Sequence, residues 1–317
     1  MNNLENQLQR KTFRLWDYDR YIMLIVFIGL SALLSDKFFT GLNISNLLKQ
    51  NSALGIVAIA ELLVILTGGI DLSVGAMTSL SGISVALLLR AGIPWPTAVA
   101  IALLVGLLSG TINGLLVTVA RLVPFIVTLG GMSIYMGLGL LLSKGRQVFY
   151  KNPSFLVIGR DGIWIIPIVA IIWIVVAISI NILLKRTLPG RYIHGIGGNR
   201  DAVRLSGVNV KFFETLAYSL SGLLCGLAGV LMASRLTLGS NSVGQGWELT
   251  AIASVMVGGG SFIGGIGTVG GAIIGAIIMG LIGNIMNLLG VSIFWQQIIR
   301  GIIILLAVFS STRKTNN

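Results

Sequence analysis

The chain reads Thr67-Gly68-Gly69-Ile70-Asp71-Leu72-Ser73-Val74-Gly75 inside an apolar stretch long enough to cross a bilayer. An ionisable group at membrane depth costs a few kcal/mol or more unless it is paired or faces a watery cavity. Glycines on both sides point to a helix that breaks or packs closely there, which lipid tolerates only where protein or a polar cavity surrounds it. The stretch therefore predicts a polytopic membrane protein with a path through it. Gly68, Gly69, Asp71 and Ser73 are the candidates for that path or for the helix break. Asp71 has two readings from sequence: it lines the path, or it caps the helix that follows, where aspartate is favoured.

Composition agrees. Of 317 residues, 55% are hydrophobic and 10% are charged, and the mean hydropathy is +0.94. A soluble domain carries about 25% charged residues, so this chain could not cover its surface in water. Its 42 glycines suit helices whose backbones approach closely. The net charge of +12 is scattered between apolar spans and not gathered into the patch that nucleic acid requires; a charge facing anionic lipid is the simpler reading. Cys225 is the only cysteine and lies in an apolar run, so neither a disulfide nor a metal site is expected.

Apolar runs of about 20 residues predict an all-α integral membrane protein with about ten spans. These lie near Tyr21–Leu34, Ala53–Leu66, Leu72–Leu89, Pro96–Ala120, Val123–Leu142, Trp164–Leu184, Phe213–Ala233, Leu249–Phe262, Ile266–Leu289 and Ile293–Phe309. No small-residue cleavage site follows the first run, so it is read as an uncleaved span and Ser35–Phe39 as a loop. The organisation expected is an amino-terminal segment 1–20, a membrane domain 21–310 and a tail 311–317. The amino-terminal segment, the loop Lys185–Lys211 and the tail hold four, six and two basic residues, so the positive-inside rule places them and both termini in the cytoplasm. Ser143–Gly162 argues back, with Lys144, Arg146, Lys151 and Arg160 on the other side.

The loop Lys185–Lys211 is the second landmark. Pro189-Gly190 and Gly197-Gly198 are expected turns, and Asn199 an N-cap for a short helix whose early Asp201 suits the helix dipole. Ala202 and Leu205 then share one face. A capped helix outside the membrane with a small apolar face is built to dock on a partner. A weaker signal is an internal repeat: Glu61 leads through an apolar run into Gly68-Gly69, and Glu248 through another into Gly258-Gly259-Gly260.

Several of these pieces, in their order and spacing, resemble the permease subunits of bacterial ABC importers for ribose and related monosaccharides. They are Thr67–Gly75, then Pro124-Phe125-Ile126-Val127-Thr128-Leu129-Gly130, and Gly197-Gly198-Asn199 through Ala202, Leu205, Ser206, Gly207 and Val208. Gly258-Gly259-Gly260-Ser261 with Gly264-Gly265, and Phe294-Trp295-Gln296-Gln297-Ile298-Ile299-Arg300-Gly301, complete the set. The resemblance implies the many-helix fold of the vitamin B12 type (type II) of importer. It also implies a second permease copy or paralogue, a periplasmic sugar-binding protein outside and a separate ATP-binding subunit inside. That subunit would dock on Gly197, Gly198, Asn199, Ala202, Leu205 and Gly207. Arg200-Asp201 departs from the family pattern, which often has proline and glutamate there.

The residues support the same division of labour. No Gly-x-x-x-x-Gly-Lys-Ser/Thr loop exists to hold ATP, and Glu61 and Asp71 alone are thin for membrane catalysis. His194 is a lone loop histidine, read as a surface residue. The expectation is a non-enzymatic permease in the bacterial inner membrane, without cofactor or metal, moving a monosaccharide. A permease for branched-chain amino acids or a furanose-like signalling molecule, or a secondary transporter, stays open at this point. The sugar's identity is mostly written in the binding protein.

Overall fold

The computed structural model describes residues 19–299, 301–303 and 305. Eleven helices account for most of it: α1 (Asp19–Leu34), α2 (Gly41–Leu66), α3 (Val74–Arg90), α4 (Trp95–Thr118), α5 (Pro124–Ser143), α6 (Pro153–Arg160), α7 (Ile168–Arg186), α8 (Leu188–Leu205), α9 (Val210–Leu236), α10 (Trp247–Val257) and α11 (Val269–Leu288). Four two-residue strands lie among them: β1 (Val148–Phe149), β2 (Gly162–Ile163), β3 (Ile166–Pro167) and β4 (Leu238–Gly239). Helical residues 293–299, 301–303 and 305 close the described chain. Helices α2, α4, α5, α7, α9 and α11 have the length and hydropathy to cross a membrane; α1, α3 and α10 are shorter and apolar.

The core forms around α2, whose residues from Asn51 to Leu66 are buried except for Leu54. It packs against α3, α9, α10 and α11, with Trp173 and Ala177 of α7 on its flank. By contrast α4, α5 and α7 expose large apolar side chains, among them Leu104, Leu108, Ile134, Leu141, Ile174 and Val175. Such an apolar exterior suits lipid or another membrane helix and not water. The α4–α9 seam is backbone on backbone: a Cβ on Gly106 would meet the carbonyl oxygen of Gly222, and one on Gly222 would meet that of Gly106. Only glycine permits that approach.

The two ends of the helical body differ. At one end Arg20 Nη1 donates to Gly258 O at 3.1 Å, and the Gly265 amide donates to Leu66 O at 3.0 Å. Helix α8 lies across this end, so it shares a side with the start of α1. At the opposite end β1 pairs antiparallel with β4, Val148 opposite Gly239. There Tyr150 donates to Ala233 O at 2.7 Å; burial pushes its phenol above the usual tyrosine range. Lys49 Nζ reaches Arg160 O at 2.9 Å beside it.

Several sequence boundaries need correction. The helix expected from Ala53 begins at Gly41, because Asn43 and Asn284 exchange side-chain amide hydrogen bonds of 3.2 and 2.8 Å that satisfy polar groups on an otherwise apolar bundle. The run Leu249–Phe262 is helical only as Trp247–Val257. The span expected from Trp164 starts at Ile168, after the β2–β3 hairpin. Ser35–Phe39 is a loop, as expected. The segment 1–18, the tail 311–317 and the end of the run Ile293–Phe309 lie outside the described residues.

Candidate pathway and docking site

Helix α2 stops at Leu66. Thr67 Oγ1 donates back to Val64 O at 2.7 Å, and Gly68 takes a positive φ of 84° that other residues resist. The chain then runs non-helically to Ser73 before α3 begins, so the predicted break is present. The Asp71 amide donates to Glu61 Oε1 at 3.2 Å. Asp71 Oδ1 accepts from the Ser73 amide at 2.9 Å and the Ser73 hydroxyl at 2.6 Å. The Asp71 carboxylate thus organises the turn entering α3, whose N-cap is Ser73.

This turn is tied laterally as well. Asn113 Nδ2 of α4 donates to Ser73 Oγ at 2.8 Å, Tyr135 of α5 donates to Asn113 Oδ1 at 2.9 Å, and Thr128 Oγ1 reaches Ile70 O at 3.1 Å. Glu61, Asp71 and Ser73 are completely buried. Among the described residues, Glu61 Oε2, Asp71 Oδ2 and the Tyr218 hydroxyl have no hydrogen-bond partner. Such unsatisfied buried groups are expensive and keep a network fixed in one arrangement only while its other bonds hold.

Helix α8 is two helices joined at a kink, where Asn199 adopts φ −157°, ψ 95°. As predicted, Asn199 caps the second part: its Oδ1 accepts from the Ala202 amide at 2.9 Å. Pro189-Gly190 is not a free turn as expected. Pro189 sits in the first turn of α8, where a missing N–H does no harm, and Gly190 abuts the backbone of Leu183 and Leu184. Nor is Gly197-Gly198 a free turn: these residues end the first helical part. Gly197 lies against Leu66 O and the Gly265 amide, which joins α8 to the end of α2. Arg200 forms an ion pair of 2.7 Å with Glu214 of α9. Beyond the kink the helix is free: Ala202 is exposed, Leu205 is 83% exposed, and Gly207 turns the chain with φ 81°. The helix thus has an anchored half and a protruding half, the latter carrying the exposed Ala202 and Leu205 beside an Asp201–Arg204 ion pair of 3.1 Å.

A third feature was not foreseen from sequence. Between β4 and α10 the chain runs without regular structure from Ser240 to Gly246. Gly239 lies against Gly82 of α3, whereas Gly244 lies against Gly75, their backbones touching in both directions. The segment thus descends about 10 Å along α3, at 1.5 Å per residue, into the depth of the spans. Beside it lies an open cleft of about 30 Å³, bounded by Ser79, Met132 and Met136, by Asn241 and Gln245 of the segment itself, and by Glu248. Gln245 is exposed, and Asn241 and Glu248 are half-buried. The polar run Ser240–Gln245 between two apolar stretches was the available signal. Among the described residues, no group of three or more histidine, cysteine, aspartate or glutamate side chains converges as a metal site.

Comparison with known proteins finds transport-system permeases throughout. A family model described as branched-chain amino acid transport system / permease component matches residues 43–308. The chain is 39% identical over 297 residues to the ribose import permease protein of Bacillus subtilis (strain 168), covering 93% of this chain and 92% of that one. It is 40% identical over 301 residues to the ribose import permease protein of Escherichia coli (strain K12), covering 92% of each. It is 37% identical over 296 residues to the D-allose transport system permease protein of the same strain, covering 92% of this chain and 91% of that one. No solved structure matches the chain.

Proposed function

The chain belongs to the branched-chain amino acid transport system / permease component family, and on that premise we propose that it is the membrane-spanning permease subunit of an ATP-driven importer of a monosaccharide. The observation that carries this reading is near end-to-end identity of about two residues in five with permeases named for ribose, with an allose permease close behind. The description of the family favours a second cargo, branched-chain amino acids, and the same experiment separates the two.

In this reading the six long helices, the shorter α1, α3 and α10, and the helix beginning at 293 make ten spans in the arrangement of the vitamin B12 type. Residues 21–310 form the permease domain, with short cytoplasmic segments 1–20 and 311–317. The end bearing α8 faces the cytoplasm of a bacterial cell, which puts both termini there in the inner membrane. A separate ATP-binding subunit docks on α8 through Ala202 and Leu205, with Asn199 and Gly207 shaping that surface and Gly197 and Gly198 carrying motion to the body. A periplasmic sugar-binding protein delivers the solute to the opposite end. A second permease copy or paralogue completes the path, and the chain itself hydrolyses no ATP. Gly68, Gly69, Asp71 and Ser73 form the break that positions the lining of the path.

The test is uptake of labelled ribose, allose, xylose and leucine by cells lacking their own importers. These cells express the chain with a candidate ATPase subunit and binding protein from its genome neighbourhood. Sugar uptake that requires all three components is expected. Leucine uptake without sugar uptake would replace the cargo, and uptake by the chain alone would replace the mechanism.

A further inference from the structure

Irregular backbone with exposed polar side chains is not tolerated against lipid; at span depth it must be covered by protein or face water. The segment 240–246 meets that description, as Gln245 and Ser242 are exposed beside the start of α3. Asn241 Nδ2 donates to Ser143 Oγ at 3.2 Å, but its Oδ1 has no partner among the described residues. Glu248 sits in the first turn of α10, where the helix dipole supports a carboxylate. We infer that the cleft bounded by Ser79, Met132, Met136, Asn241, Gln245 and Glu248 opens to the solute path and contacts the hydroxyl groups of an uncharged polyol as it passes.

The chemistry of the walls selects that class. Ser79, Asn241 and Gln245 supply both donors and acceptors, Glu248 accepts from two hydroxyls, and Met132 and Met136 offer an adaptable apolar side to the C–H face of a sugar. Among the described residues no cation lines the cleft, so an anionic solute gains nothing there. At about 30 Å³ the cleft holds a water molecule and not a pentose. Sugar contact therefore requires the backbones to part where Gly75 meets Gly244, and this is the closed form of the contact. Glu248 is the specificity-determining residue, since a carboxylate distinguishes sugars by where adjacent hydroxyls lie.

This inference rests on the sugar-import reading, and its test keeps the two apart. Cys225, the only native cysteine, is fully buried, so Gln245→Cys can be labelled selectively in the intact complex by a charged, water-soluble methanethiosulfonate. Labelling is expected with Gln245→Cys and not with the native chain, and transported ribose should slow it severalfold. Glu248→Gln, with ATPase coupling retained, should lower uptake of the preferred sugar about tenfold and change the ranking among ribose, allose and xylose. An unreactive Gln245→Cys overturns the inference, as does labelling indifferent to sugar together with an unchanged ranking in Glu248→Gln. Failure of the sugar-import reading shows separately, as a native complex that carries none of the three sugars. Water access at Gln245→Cys is read in that case too, and its absence still overturns the cleft.

Discussion

The molecule breaks two of its helices at the same end and holds the two breaks by different means. The break after α2 is polar: Asp71, Ser73, Asn113 and Tyr135 pass hydrogen bonds from one helix to the next. The break after α10 is made of glycine and backbone. Gly258 lies against Gly271, the Ser261 amide donates to Ile266 O at 3.1 Å, and Gly265 reaches Leu66. Side-chain networks fix one geometry and fail together, whereas close backbone contacts between glycines admit no added atoms. The first break is therefore suited to hold α3, α4 and α5 in register. The second is suited to receive force from α8, which touches it at Gly197.

Each difference can be attacked in turn. The largest effect is expected from Gly197→Leu, whose side chain has backbone of Leu66 and Gly265 in its place. Overpacking of this kind costs about 1–3 kcal/mol where neighbours can move, and here they are main chain. Membrane abundance and thermal stability in detergent should both collapse; near-native values would show that α8 is not seated as described. Asp71→Ala comes next, removing two hydrogen bonds to a charged group worth about 1.5–3 kcal/mol each. We expect uptake to fall at least tenfold with a smaller loss of abundance, and Asp71→Asn, which keeps an acceptor oxygen, to recover part of it. Normal uptake with reduced abundance would limit Asp71 to holding the fold.

Smaller effects probe the free half of α8. Leu205→Glu adds charge to an exposed position, so the isolated chain should stay within about 0.5 kcal/mol of native stability. Sugar uptake and co-purification of the ATPase subunit should nonetheless fall together. If both persist, docking occurs elsewhere on that end. Asn199→Ala removes only a helix cap, worth about 1 kcal/mol. It should weaken ATPase capture a few-fold without changing membrane insertion, measured by titrating the subunit onto purified permease.

The sequence made the membrane class and the first break legible because both are local. Hydropathy accumulates over one segment, and Gly68-Gly69 with Asp71 signals a stopped helix within five residues. The cap at Asn199 was legible for the same reason, since Ala202 lies three residues away. What stayed hidden depends on partners far along the chain. The first turns of α2 carry Asn43, Asn46, Lys49, Gln50 and Asn51 and look like a loop, until Asn284 arrives from 241 residues away to pair with Asn43. Pro189 looked like a turn because α7 and α8 meet almost without a linker. The cleft draws on α3, α5 and the segment before α10, and only folding brings Ser79, Met132 and Glu248 to one place.

The glycine seam between α4 and α9 has a mechanical consequence. Where Gly106 and Gly110 meet Gly222, no side chain stands between the two axes to change rotamer, so the pair cannot creep past one another by small exchanges. It behaves as a single strut, with the lever arm of a helix 27 residues long. A push delivered at the α8 end then reaches the opposite end, where β4 continues the strut into its pairing with β1, as tilt and not as slippage. Travel at the far end of such a lever scales with its length, so a displacement too small to open anything near Gly197 becomes a larger one at the end that carries β1 and β4.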